Sequence, residues 1–399
     1  MMASNPPADP VQARRFLKVL ADGVPPKDEL IDWLTVGEEH LLRRFSDDLS
    51  AVAQGDSRNL LVLGNPGAGK SHLLTILEFR AAHAGFVTTY FSQDIQSRVA
   101  FNRPDQIYSR ITETMQLRGS LSGTYGGIQE IMRRWADQAL PKLRGVNRSM
   151  QIAFALSEQN LLPTDTLSIH PRTRVALVGY LMAVEQQNEA AENQFLSVLR
   201  GPGLESGKLM QSAQSIRLER KAFIGYTPSV YDSAYYFGQL SVLVFIIRAI
   251  GLKGLVTLFD EITAIVDLRA RSREKAYKVL DSFFDNAHAG LYSVFAYMPP
   301  FLTQLQSDAR NGGSKFAERW HKLSEGAVEL SLLTCAQLME LFRRIQVLYG
   351  IAYEWNGGDS MNAEATRLAN GCEKRNVPVR DFVRRALLLL EQRRSATVS

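Results

Sequence analysis

The chain has 399 residues, 45% hydrophobic and 22% charged, with 46 basic and 41 acidic side chains giving a net charge of +5. That composition excludes wholesale disorder, and the length holds two or three domains around a sizeable core. No apolar run approaches the roughly 18 to 20 residues of a membrane span, and the polar, proline-rich start MMASNPPADP lacks the basic and apolar parts of a signal peptide. A cytoplasmic protein with no membrane partner is expected. Two cysteines, Cys335 and Cys372, fit a reducing compartment and offer no metal-ligand spacing. The pI near 9.1 admits nucleic acid as a partner, although basic residues are more often solvated faces.

In chain order, the first informative stretch is NLLVLGNPGAGKSHLL, Asn59 to Leu74. Leu60 to Leu63 is a short buried-strand run, and His72 to Ala84 has helical composition. Between them Gly64, Asn65, Pro66, Gly67, Ala68, Gly69, Lys70 and Ser71 fill the pattern G-x-x-x-x-G-K-[ST]. Such a loop turns consecutive backbone N–H groups toward an anion, and the dipole of the following helix adds to the attraction. Lys70 would reach the β- and γ-phosphates of ATP, and the Ser71 hydroxyl would take one position on Mg²⁺. His72 directly follows in the same segment, but a lone histidine there is more often packed or solvated, and no chemistry is assigned to it.

Phe86 to Ser92 reads as the next strand and Asp105 to Met115 as a helix. Helical patterns then dominate, among them Gly127 to Ala139, Pro171 to Leu199 and Leu240 to Ile250, with turn-rich patches at Arg118 to Gly127 and Gly201 to Gly207. About 190 residues separate Lys70 from the next acidic strand end, far more than one β-α-β step requires, so a mostly helical insertion over residues 118–237 is expected.

The segment Gly254 to Glu261, GLVTLFDE, is an apolar β-type run ending in two carboxylates. Asp260 would hold Mg²⁺ directly or through water, and Glu261 would polarise the attacking water. A helix over Arg269 to Ala289, a strand over Leu291 to Tyr297, a last strand over Ala327 to Leu333 and three helical patterns follow, at Cys335 to Tyr349, Met361 to Gly371 and Val379 to Arg393. The expectation is an α/β fold: a parallel sheet core with a long helical insertion and a C-terminal helical lid. Its parts would be residues 1–117 for an N-terminal segment and the first part of the core, 118–237 for the insertion, 238–334 for the second part of the core and 335–399 for the lid.

This layout resembles the AAA+ ATPases, especially the branch containing origin-recognition initiators. The resemblance gives further residues candidate roles. In TVGEEHLLRRF, Val36 and Gly37 would lie near the adenine. Arg380, in NVPVRDFVRR, stands where the family's lid arginine enters the site, although with Arg384 and Arg385 it also reads as a solvated basic face. Arg319, in KFAERWHKL, falls where an arginine often reaches a neighbouring subunit's nucleotide, although an internal ion pair or stacking on Trp320 fits equally. After the fourth strand the family usually offers Thr or Asn; here the sequence is AYMPPF, and Tyr297 is either a substitute or a packed aromatic.

A closer resemblance is to the BREX-system ATP-binding proteins, BrxD-like, of bacterial phage-defence operons. It is carried by VLADGVPPKDEL, GNPGAGKSHLL, IIRAIGLKGLVTLFDEITAI and VPVRDFVRRALLLL. It implies an ATPase of an antiviral system, acting beside a helicase or DNA-modifying partner, with double- or single-stranded DNA and a homo-oligomer among the expected partners. The tyrosines in AFIGYTPSVYDSAY, Ala222 to Tyr235, suit either base stacking or packing of the insertion on the core. Two further classes of function are weighed against the ATPase. An adaptor that binds ATP with little hydrolysis is favoured by AYMPPF and opposed by the Asp260–Glu261 pair. A small-molecule kinase is disfavoured because no acceptor pocket can be made out.

Overall fold

A computed structural model describes residues 9–24, 30–91, 99–118, 126–143, 149–163, 169–201, 206–223, 233–284, 289–355 and 361–398. Its centre is a sheet of five strands: β1 (Arg58–Gly64), β2 (Val87–Phe91), β3 (Leu255–Phe259), β4 (Leu291–Tyr297) and β5 (Val328–Leu330). All four pairings are parallel, in the order β2-β3-β4-β1-β5. The apolar runs read as strands form this sheet. Parallel strands are covered on both faces, so their sequences are continuously apolar rather than alternating. Every residue of β3 and β4 is buried.

The two faces support different layers. On one, Leu60, Val62, Val256 and Leu258 pack with α3 (Glu39–Gln54) and α4 (Lys70–His83). On the other, Phe91, Phe259 and Phe295 stack across three strands, with ring centroids 4.4 and 4.8 Å apart. That aromatic row belongs to a cluster that continues into α5 (Pro104–Thr114), α6 (Gly126–Ala139), α7 (Ser149–Glu158), α8 (Pro171–Glu185), α9 (Glu189–Arg200), α10 (Ser206–Ser215) and α11 (Ser233–Ala249). The helical stretch after β2 therefore shares one hydrophobic core with the sheet. It returns through α11, which runs unbroken past residues 237 and 238. The same face also carries α12 (Ala270–Asp281), α13 (Pro299–Gly312) and α14 (Lys315–Ser324).

The apolar pattern from Pro171 to Leu199 divides into two helices. Gln187 adopts the left-handed region at φ 54°, and Asn188 caps α9 by accepting from Ala191 N at 3.1 Å. An Asn with this capping geometry competes with helix continuation, so the chain reverses and α9 packs on α8. The contact is close: a Cβ at Gly179 would fall 2.3 Å from the Phe195 ring.

A third cluster joins the two ends of the chain. α15 (Cys335–Tyr353), opened by a capping box of Thr334 and Gln337, packs with α16 (Asn362–Lys374) and α17 (Val379–Val398). The N-terminal α1 (Pro10–Ala21) and the short α2 (Leu30–Leu34) also belong here, through Ala13, Phe16, Leu17 and Leu30. Of these, α1 packs on α15 and α17. Among the described residues, no helix is long and apolar enough to cross a membrane.

Replacing Gly179 by Leu should force the Phe195 ring out of its place. Overpacking of this kind costs about 1–3 kcal/mol, to be read as a lower midpoint of thermal or denaturant unfolding, whereas Gly207→Ala, with no neighbour within 4 Å of its added Cβ, should leave the midpoint unchanged.

Candidate nucleotide site

β1 delivers Gly64 to the carboxyl edge of the sheet, and α4 begins at Lys70. Between them Gly67 and Gly69 take φ of 80° and 95°, a region that side chains disfavour, which is why glycines occupy these positions. The Lys70 ammonium curls back across the loop, donating to Gly64 O at 2.9 Å and Asn65 O at 3.2 Å. Burial holds its pKa below the usual lysine value, with the Glu261 and Asp260 carboxylates opposing the shift.

β3 ends one residue before the acid pair. Asp260 N donates to Phe91 O at 2.9 Å, and Asp260 Oδ2 accepts from the Ser71 hydroxyl at 2.7 Å and from the Tyr90 hydroxyl at 2.9 Å. Glu261 adopts φ 66° and ψ 48°, an uncommon conformation for glutamate, and leads into the 3₁₀ turn Ile262–Asp267. One of its carboxylate oxygens is buried without a hydrogen-bond partner. Burial raises its pKa, Asp260 adds to the rise, and Lys70 opposes it. Thr263 Oγ1 accepts from Met298 N at 2.9 Å, which fixes the end of β4 beside this turn.

The glycine-rich loop, Glu261 and Met298 border a cavity of about 400 Å³. Thr35 and Val36 line it before the loop, while Leu341, Ile345, Val383 and Arg380 close it from the C-terminal helices. At its inner wall Thr35 Oγ1 donates to Ile31 O at 2.7 Å, which uses its one proton. The 2.9 Å contact with His72 Nε2 therefore requires the imidazole to donate, so His72 carries its proton on Nε2. Burial lowers the pKa of His72 to about 4.

A family model described as BREX system ATP-binding protein BrxC/D matches residues 9–391. The chain belongs to this family. No curated protein matches it. The geometry suits the ATP-binding description of the BrxC/D family: a glycine-rich loop at a helix N-terminus, a lysine within it, and an acid pair beside its serine. Ser71 and Asp260 offer hard oxygen donors. Among the described residues no group of three or more His, Cys, Asp or Glu could hold a metal alone. A cation here would be completed by phosphate oxygens and water, as suits Mg²⁺.

In this BrxC/D chain the cavity gathers most residues singled out from sequence. Val36, Pro66, Gly67, Ala68, Gly69, Lys70, Ser71, His72, Glu261 and Arg380 line it. Gly64 and Asn65 supply the carbonyls under Lys70, and Asp260 holds Ser71. Gly37, at φ 88°, stands beside the Gln337 side chain, outside the lining residues. Arg319 lies apart, donating to Asp281 at 2.8 Å with its side chain 48% exposed. Tyr297 is buried, its ring 5.3 Å from Phe301, and Met298 lines the cavity instead. Tyr226 and Tyr231 of the aromatic stretch lie outside the described residues, and Tyr235 is buried.

Tyr90, Thr35 and Met298 were missed in the sequence. Tyr90 sits in a strand run, FVTTYFS, where periodicity does not tell which side chain meets a residue 170 positions away. The hydroxyl of Thr35 gave no motif, and only its neighbour Val36 was marked.

His72 yields a pH prediction. Its folded pKa, about 4, lies below the ordinary value of 6.5, so it favours folding fully above pH 6.5, and that contribution is lost as the pH falls toward 4. The span corresponds to about 3 kcal/mol. His72→Gln removes the titrating group, so the unfolding free energy of the variant, measured in denaturant against wild type, should gain about 3 kcal/mol relative to wild type between pH 7 and pH 4.

Proposed function

We propose that this BrxC/D chain is an AAA+ ATPase that hydrolyses Mg²⁺-ATP and couples the cycle to DNA or to a partner protein of a bacterial antiphage system, working in the cytoplasm. The observation that carries the reading is the Ser71–Asp260 contact of 2.7 Å, because it joins the phosphate loop to the acid pair needed for more than binding. Mg²⁺, held between these two groups and the phosphates, would neutralise charge developing on the transferred phosphoryl oxygens. Lys70 would leave the Gly64 and Asn65 carbonyls for the β- and γ-phosphate oxygens of ATP. Glu261, with one oxygen unpartnered at the cavity wall, would accept a hydrogen bond from the attacking water.

Arg380 would report the γ-phosphate to the lid, since it lines the cavity from α17 while its side chain is 64% exposed. Arg319 would act in a homo-oligomer, leaving Asp281 to reach a neighbour's nucleotide. Its half-exposed guanidinium supports that role, and the rate per subunit should then rise with protein concentration. The division into an N-terminal segment with the first part of the core (1–117), an insertion (118–237), the second part of the core (238–334) and a lid (335–399) belongs to the same reading, as does a helicase or DNA-modifying partner.

An adaptor that binds ATP with little turnover is the second reading. It is favoured by Met298, which lines the cavity where a polar residue would be expected to touch the γ-phosphate or water.

Phosphate release from ATP by the purified protein decides between them. Release that rises with DNA and falls by about 100-fold or more in Glu261→Gln is expected of the ATPase. Tight ATP binding with no release under any condition would overturn hydrolysis and leave the adaptor. The pH profile carries a signature: Glu261 must be ionised, and its raised pKa should bring the acid-side loss of rate closer to neutrality than an ordinary glutamate would.

A further inference from the structure

On the far side of the molecule from the phosphate loop, where the amino ends of the strands lie, a second and larger concavity of about 1160 Å³ runs along α11. Its floor is one face of that helix: Ala234, Gly238, Ser241, Phe245 and Ala249 recur every three or four residues. Fifteen residues of rise make the floor about 22 Å long. Small side chains keep it open, and Phe245 offers a ring along it.

The walls are polar at both ends. At one end lies the N-terminus of α8, with His170 and Thr173, and at the other Arg248 and Lys253, next to the start of β3. Among the described residues that line it there is no aspartate or glutamate. Two side chains in it are more than nine-tenths buried and hold an atom without a partner. Thr173 is 1% exposed, and its hydroxyl has no hydrogen-bond partner. Gln239 is 3% exposed; its amide nitrogen donates to Val198 O at 3.3 Å and Leu199 O at 3.4 Å, which leaves Oε1 unpaired. An orphaned hydroxyl and an orphaned amide oxygen in a well-packed core are costly unless something outside the fold completes them.

We infer that this groove binds a segment of single-stranded DNA, with unpaired bases meeting Gln239 and Thr173 and phosphates meeting Arg248 and Lys253. The inference deepens the DNA-coupled reading above and rests on it. Gln239 and Thr173 are only 3% and 1% exposed, so a base stacked inside a duplex would not reach them, whereas the splayed base of a single strand could. The floor length matches a footprint of about four nucleotides, and Phe245 provides a sequence-tolerant apolar contact. Its distance from the ATP cavity makes α11 the connection between the two, since that helix leads directly to β3 and Asp260.

The test is the anisotropy of a short labelled single-stranded DNA of mixed sequence, titrated at several salt concentrations. Lys253→Glu, at an exposed position, should weaken binding by about fivefold or more and reduce the salt dependence. Thr173→Val, which keeps shape, should weaken it by about threefold with the salt dependence unchanged. Binding of a fluorescent ATP analogue should stay the same in both. The control is Lys275→Glu with Lys278→Glu, on the exposed stripe of α12, which should leave DNA affinity within about twofold of wild type. Wild-type binding that survives the groove substitutions, or is lost instead in the α12 control, overturns the groove while sparing DNA coupling. No binding of single-stranded DNA by wild type, with or without ATP, overturns the groove, and DNA coupling falls with it only if double-stranded DNA is not bound either.

Discussion

The arrangement depends on a hydrogen bond between two residues that the sequence keeps 189 positions apart. Ser71 starts the helix after β1, and Asp260 ends β3, yet β4 lies between those strands. The two meet because parallel pairing aligns the carboxyl ends of all three strands at one edge, where helix N-termini also open. Slipping β3 by one residue against β4 would invert its faces, sending Phe259 out of the aromatic row and Asp260 away from Ser71. Register, set by burial on both faces, thus fixes the chemistry.

Charge at this edge is deliberately uncomfortable. Burial lowers the pKa of Lys70 and raises that of Glu261, so each is held where its ion is poorly solvated. Lys70 finds only carbonyl oxygens, and Glu261 keeps an oxygen unpaired in an uncommon backbone conformation. Strain and unsatisfied polarity of this kind concentrate where a ligand is to be received.

Local chemistry was legible in the sequence where it follows from consecutive residues. The loop, the acid pair and the five strands were read from short runs because glycine placement, apolar continuity and strand length are local properties. Tyr90, the Thr35–His72 contact and the turn at Gln187–Asn188 were not, since each depends on which segments fold against one another. The packing of α1 shows the same limit: its sequence marks an amphipathic helix, and nothing in it says that its buried face meets α15 and α17 instead of the sheet. Arg319 and Arg380 are equally basic in the sequence, but only one borders the cavity, because α14 faces α12 whereas α17 overhangs the loop.

The partnership of α1 with the C-terminal helices changes how that layer is hung. The chain crosses between it and the sheet twice, once through α2 and residues 35–38 and once through residues 331–334. Arg344, on α15, grips the first crossing by donating to Thr35 O at 2.9 Å. Both crossings border the cavity, for Thr35, Val36 and Leu333 line it. The two ends of the chain are thereby stitched together at the rim of the cavity, and an occupant of that cavity would touch the very segments that carry the helical layer.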